Sequence, residues 1–303
     1  MEIMVTGATG QLGWELARSL SMLGRVHALD RRQCDLNDPG SLRAVVRDIK
    51  PDMIVNAAAY TAVDKAETDV SGAMRVNSES VATLAEEAKN LGALFVHYST
   101  DYVFNGEKGS PYTEIDLVCP INSYGASKLS GEKLIEQIGG DYLIFRTSWV
   151  YASRGKNFLL TMLNLAQSRE SLSVVSDQKG APTWARDLAQ MTLLSTYRSI
   201  NAMKDGGFKS GIYNLASSGE TSWHGFASYL IEEFRSQLGD DAGRVIVNEI
   251  SEVTTDFYKT DAKRPAYSKL DASKFEEAFQ VRMPDWKYSC RLCIADVVSS
   301  LMR

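Results

Sequence analysis

The sequence predicts an α/β protein, a doubly wound parallel sheet followed by a smaller mixed α/β substrate domain. Three observations carry that expectation. Short apolar strands alternate with helix-period segments through the first half of the chain. A glycine turn, Gly7-Ala8-Thr9-Gly10-Gln11-Leu12-Gly13, separates the first strand from the first helix. After Arg146 the rhythm changes, with more loops and fewer strands.

Taken in order, Ile3-Met4-Val5 is a short apolar strand that breaks into the glycine turn. The helix after it carries Leu12, Leu16, Leu20 and Leu23 as its buried stripe. Val26 to Leu29 forms a second strand, which ends in Asp30-Arg31-Arg32. Pro39 opens a helix, and Met53-Ile54-Val55 is the third strand, running into Asn56-Ala57-Ala58-Ala59-Tyr60-Thr61. A long helix is expected over 76–91, a strand over 94–98, a helix over 123–138 and a strand over 142–145. Strands and helices alternating at this pace call for right-handed crossovers in a parallel sheet. The expected division is a dinucleotide-binding domain over 1–147 and a second domain over 148–303, with the chain returning to the sheet near 211–216. In the second domain, helices are expected from Phe158, Trp223, Ser273 and Lys287, and a strand over 245–250. Pro182 lies in the loop-like stretch Asp177 to Thr183, since proline cannot serve a strand ladder.

Composition narrows the function classes. With 44% hydrophobic and 23% charged residues, the chain reads as an ordinary globular protein. A net charge of −5 weighs against nucleic acid as a partner, although local basic groups can still hold an anionic small molecule. No apolar run approaches the roughly 18 residues of a membrane span, so no membrane partner is expected, and a cytoplasmic setting is the default. Four cysteines are too few for a disulfide scaffold. Cys290 and Cys293 read as two reduced thiols on one helix face, because Cys34, Cys119 and the scattered histidines offer no complement of four zinc ligands.

The chemistry concentrates between Ser99 and Lys128. Thr100 falls at the carboxyl end of a buried strand, where open α/β sheets bind their ligands. Tyr124 and Lys128 stand four apart on a helix and so share a face. A neighbouring ammonium favours the phenolate, so this reading expects Lys128 to lower the Tyr124 pKa. The glycine turn lets the backbone approach a pyrophosphate, and the helix behind it offers free N–H groups to the anion.

With the glycine turn, Asn56-Ala57-Ala58, Ser99-Thr100 and Tyr124-x-x-x-Lys128 all in order, the chain resembles the extended short-chain dehydrogenase/reductase family. The segments 56–67, 97–104, 146–151 and 177–183, with Arg264-Pro265, resemble the branch that reduces dTDP-linked 4-keto sugars. This resemblance implies a Rossmann sheet, NADPH or NADH as cofactor, and a metal-free ketone reduction. It places Thr100, Tyr124 and Lys128 as the catalytic residues. Gly7, Gly10, Gln11, Leu12 and Gly13 would hold the cofactor pyrophosphate. Asp30 would meet the adenosine ribose, and Asp35 and Leu36 would flank the adenine. Ala59, Tyr60, Thr61 and Tyr98 would line the nicotinamide side, with Tyr124 and Lys128 also touching the cofactor. Asp101 and Trp149 would contact the sugar nucleotide; for its diphosphate, Arg264 on a loop stiffened by Pro265 is the leading candidate, ahead of Lys156 and Lys259. Dehydratases of this family carry an Asp-Glu pair after the threonine, whereas Tyr102 follows Asp101 here. An epimerase, or a regulatory subunit of the same fold without catalysis, is the alternative reading. Asp30 favours NADH and Arg31-Arg32 favour NADPH, so both cofactors are expected to serve. Some relatives hold Mg²⁺ between two subunits. Glu15 matches one ligand position, but Arg186 stands where another glutamate is expected, so no metal ligands are assigned and the homodimer stays open.

Overall fold

The computed structural model describes residues 1–301. Six parallel strands make the main sheet: β1 (Glu2–Thr6), β2 (Arg25–Leu29), β3 (Met53–Asn56), β4 (Leu94–Thr100), β5 (Tyr142–Thr147) and β6 (Gly211–Asn214). Their order across the sheet is β6-β5-β4-β3-β1-β2. The strand order therefore reverses between β1 and β3, which opens a crevice outside their carboxyl ends. The helices are α1 (Gln11–Ser19), α2 (Pro39–Ile49), α3 (Ser80–Leu91), α4 (Ser123–Ile138), α5 (Phe158–Ala166), α6 (Ala185–Lys204), α7 (Trp223–Leu238), α8 (Ser273–Phe279) and α9 (Trp286–Leu301). None is long and apolar enough to cross a membrane.

Both faces of the sheet are buried, which is why its strands read as continuous apolar runs rather than alternating ones. Ile3, Val5, Val55, Val96 and Phe145 face one side, packed with Leu16, Leu20 and Leu188 of α1 and α6. Their sequence neighbours Met4, Ile54, Phe95 and Ile144 face the other, against Leu42, Val46 and Leu84 of α2 and α3. A separate core joins α5, α7 and α9 through Leu159, Leu163, Phe226, Phe234, Cys290 and Ile294. All four cysteines are free, and Cys290 and Cys293 are buried in this second core.

Three elements depart from the sequence reading. The stretch 184–210 was left without an element, yet it forms α6. Half of its buried residues are Thr192, Ser195, Thr196 and Ser199, and the first three bond their hydroxyls back to carbonyls within the helix, so no leucine stripe betrays it. The expected strand over 245–250 begins only at Glu249 and pairs in parallel with Ser171–Val175. Val245 and Val247 are apolar because they fill the second core, not because they join a ladder. The helix expected from Val76 is preceded by a π-helical turn over Arg75–Glu79, which leads into α3.

Helix α4 is held from several directions. Asn122 caps it, with Oδ1 accepting the Gly125 N–H at 2.8 Å. Asn77, on the π-helical turn, accepts the Tyr60 N–H and donates to the Ser127 hydroxyl at 3.0 Å. A side chain at Gly131 is excluded, because its Cβ would stand 2.3 Å from the Asn77 carbonyl oxygen. Finally, Glu132 of α4 takes two hydrogen bonds from Arg146 of β5, at 2.9 and 2.6 Å, with both side chains buried. Removing one member leaves the other charge buried and unpaired. Glu132→Ala should therefore lose about 3–5 kcal/mol of unfolding free energy, read from urea denaturation; a loss within the scatter of a surface substitution would contradict the anchoring role.

Candidate active site

A cleft of about 830 Å³ runs along the carboxyl ends of β1, β3 and β4. At one end is the glycine turn, with Gly7, Gly10, Gln11 and Leu12 on its wall. Gly13 lies behind them, and its missing side chain makes the turn possible: a Cβ there would sit 2.1 Å from the Gly7 carbonyl oxygen. Asp38, Asn122 and Asn157 cap α2, α4 and α5, whereas α1 has no capping side chain at Gly10 and no acid in its first turn. Its free N–H groups and positive dipole end face an anion site. The donor set thus suits a pyrophosphate.

Beyond the turn, Arg31, Asp35 and Leu36 border one side, and Ala59, Tyr60 and Thr61 the floor. Asp30 does not reach the lining. Its carboxylate accepts the backbone N–H groups of Arg32 and Gln33 at 2.8 and 3.1 Å, closing the turn after β2. Tyr98 borders the cleft while its hydroxyl pairs with Thr192 at 2.6 Å. Lys156, on sequence alone a weaker diphosphate candidate than Arg264, lines the cleft together with Lys65, which the sequence does not single out. Only the fold brings them in, since neither belongs to a spaced motif.

At the far end stand Tyr124 and Lys128 of α4, with Thr100 just beneath. The Thr100 hydroxyl accepts the Tyr102 N–H at 3.2 Å and donates to Asp101 Oδ1 at 3.0 Å. Burial, reinforced by the Asp101 carboxylate, pushes the Tyr124 phenol up to about 12. This corrects the expectation that Lys128 lowers it. The Lys128 ammonium is turned to the Tyr98 carbonyl at 2.5 Å and to His97 Nε2 at 3.2 Å, and burial brings its own pKa down to about 8. Asp101 is equally enclosed: burial raises its carboxyl to about 7, and Oδ2 has no hydrogen-bond partner among the described residues.

Chains of known identity share this arrangement from end to end. A dTDP-4-dehydrorhamnose reductase of Burkholderia thailandensis is 51% identical, covering 99% of this chain and 100% of its own. The Escherichia coli protein of the same name is 42% identical over 99% of both. A crystal structure of dTDP-4-dehydrorhamnose reductase from Bacillus anthracis in complex with NADP has a TM-score of 0.85 and 32% identity, covering 97% of this chain and 99% of that one. The family model of the RmlD substrate binding domain matches residues 1–299. The chain belongs to the dTDP-4-dehydrorhamnose reductase family.

Within this member of the family, two further positions take a definite form. Trp149 adopts a left-handed backbone with φ +48° and stacks on Trp223, ring centroids 3.6 Å apart. A bulky residue in that region is strained, and the aromatic stack holds it there. Arg264 points its fork at Asp64, with Nη1 and Nη2 at 3.1 and 2.8 Å from the two carboxylate oxygens, and lies outside the cleft lining. Nothing in a linear reading announces this pair, because its members are 200 residues apart.

The residues do not fit a Mg²⁺ ion at Glu15. Arg186 donates to the Glu15 carboxylate at 3.3 and 3.4 Å and lies 2.7 Å from Asp296 Oδ2. A guanidinium already supplies the positive charge between those two carboxylates. Among the described residues no group of three His, Cys, Asp or Glu is placed to hold a metal.

Enclosing Asp101 makes stability depend on pH. Its folded pKa of about 7 lies above the unfolded value of about 3.9. The folded state therefore binds the extra proton, and this contribution is fully present below about pH 4 and lost as pH rises through 7. Asp101→Asn should accordingly raise Tm relative to the parent more at pH 8 than at pH 5. An equal difference at both pH values in calorimetry would show that Asp101 ionises freely.

Proposed function

We propose that the protein reduces the C4 ketone of dTDP-4-dehydro-L-rhamnose to dTDP-L-rhamnose with NAD(P)H, acting as a nucleotide-sugar biosynthetic oxidoreductase through Thr100, Tyr124 and Lys128. One observation carries the assignment of roles: a single cleft joins an uncapped helix N-terminus behind a glycine turn to a buried Thr-Tyr-Lys group. The substrate domain over 148–303 supplies Trp149, and the sugar nucleotide lies between it and α4.

When bound, the dihydronicotinamide supplies a hydride to the ketone carbon. The residues of the chain manage the oxygen. Tyr124 is a neutral phenol throughout the working pH range, because burial holds its proton on. Such a group suits a reduction, in which a proton is needed only once alkoxide character develops. The Thr100 hydroxyl becomes a second donor to that oxygen by turning its hydrogen from Asp101 Oδ1 when substrate arrives. Lys128 anchors the cofactor ribose, and Ala59, Tyr60 and Thr61 let the flat ring lie close. Asp101 and Trp149 contact the sugar. Lys156 on the cleft wall is better placed for a phosphate than Arg264, whose guanidinium is already engaged.

Cofactor choice rests on Arg31. It lines the cleft, pairs loosely with Asp35 at 3.6 Å and is largely exposed, so it is free to meet a 2′-phosphate. Arg32 is not part of the lining. This supports use of NADPH beside NADH. Arg31→Ala should weaken NADPH by about tenfold, the worth of one charge-assisted hydrogen bond, and leave NADH nearly unchanged. Parallel losses for the two cofactors in fluorescence titration would place Arg31 in solvent.

The reading itself is tested by turnover of dTDP-4-dehydro-L-rhamnose with Tyr124→Phe. Only the hydroxyl is lost, so kcat should fall by roughly 10²–10⁴-fold with cofactor affinity preserved. Near-normal kcat would remove Tyr124 from its role, and no NAD(P)H oxidation by the parent protein would remove the assignment altogether.

A further inference from the structure

Behind Lys128 lies a row of buried polar side chains that the reduction does not use. His97 of β4 is fully buried and its ring is stacked with Phe95. Its Nε2 is 3.2 Å from Lys128 Nζ, and its Nδ1 is 3.1 Å from Asn56 Nδ2 of β3. Asn56 Oδ1 in turn accepts the Thr6 hydroxyl of β1 at 2.6 Å. Neither His97 nor Thr6 lines the cleft. Four side chains from three strands and α4 thus form one hydrogen-bonded line across the sheet.

Counting protons along the line gives it a direction. The Asn56 amide turns Oδ1 to Thr6 and Nδ2 to His97, and an amide oxygen only accepts, so the Thr6 hydrogen is given to Asn56 Oδ1. That leaves the Asn56 amino group to donate to His97 Nδ1. Burial and the neighbouring Lys128 keep His97 neutral, and a neutral imidazole carries one hydrogen. With Nδ1 accepting, that hydrogen is on Nε2 and is aimed at Lys128 Nζ. An ammonium has no lone pair to receive it, whereas an amine has.

We propose that His97 is a positioning residue which, backed by Asn56 and Thr6, donates its Nε2 hydrogen to Lys128 and favours its neutral amine form in the cofactor-free enzyme. The charge that opposes this is Glu132, and its pull on the Lys128 proton is weaker than the effect of burial. Glu132, on the same helix, is neutralised by Arg146. From β4, Lys128 meets the Tyr98 carbonyl and His97; from α4 itself, Tyr124 shares its face and remains a neutral phenol. Cofactor binding then recharges Lys128, since an ammonium bonds a ribose oxygen more strongly than an amine does. Binding therefore takes up a proton from solvent.

This inference rests on the placement of Lys128 at the cofactor ribose, and NADH is the probe because it has no titrating 2′-phosphate. In the parent protein, NADH affinity should fall roughly tenfold as pH rises through about 8, where Lys128 titrates. His97→Phe keeps a ring against Phe95 but has no hydrogen to give, so the midpoint of that fall should move up by about one unit. His97→Gln retains a donor and should restore the parental midpoint. A midpoint that stays in place or moves down in His97→Phe overturns the proposal. A measurement that needs no variant stands beside it: calorimetry of NADH binding at pH 8.5, in buffers of different ionisation enthalpy, should show uptake of about half a proton, as a one-unit rise of the Lys128 pKa from about 8 requires. Binding without proton uptake would also overturn it, while absence of NADH binding would overturn the functional reading instead.

Discussion

The buried pair of Glu132 and Arg146 is the constraint on which the active end of the molecule depends. Tyr124 and Lys128 belong to α4, whereas Thr100 ends β4, and their mutual distances hold only while the helix keeps its place on the sheet. Glu132 fastens that helix to β5, the strand next to β4, through a buried bidentate contact. A planar fork on a carboxylate fixes orientation as well as distance. The close approach of Gly131 to the Asn77 carbonyl and the Asn122 cap set the remaining freedoms of the helix. Sliding α4 along its axis would break all three together.

Enclosure also explains the electrostatics of the site. Tyr124, Lys128 and Asp101 all depart from their ordinary pKa values, and for each the first cause is burial rather than a charged neighbour. Burial favours the uncharged form of every group, so it holds the proton on a phenol or carboxyl and loosens the proton of a lysine. A low-dielectric end to the cleft lets two hydroxyls act on a ketone oxygen without competition from water. The cost appears as an unpartnered Asp101 oxygen and a left-handed Trp149, both beside the site and not in the distant core.

Much of this was legible in the sequence, for identifiable reasons. Parallel strands buried on both faces are short apolar runs, and the glycine turn is required by backbone contacts that no other residue permits, so sheet and turn could be read locally. Tyr124 and Lys128 were found because helical spacing is itself a spatial statement. What escaped was set by packing between distant segments. Helix α6 hides behind buried threonines and serines, and Val245 and Val247 imitate a strand while filling a core. The direction of the Tyr124 shift was misread because spacing tells which residues share a face, not which acceptor an ammonium chooses. Asn56 was noticed for the small residues after it, and nothing in a linear reading joins it to Thr6 and His97.

The pairing of Arg264 with Asp64 has a consequence for how ligands come and go. It clasps the 262–265 loop to the short helix Val63–Ala66, beside the cleft floor. Arg264 and Asp64 remain 24% and 44% exposed, and a pair so open to solvent is worth only about 0–1 kcal/mol. A clasp of that strength is undone by thermal motion a substantial fraction of the time. The loop is thereby given a preferred resting place without becoming a gate that limits traffic, and its grip slackens as ionic strength rises.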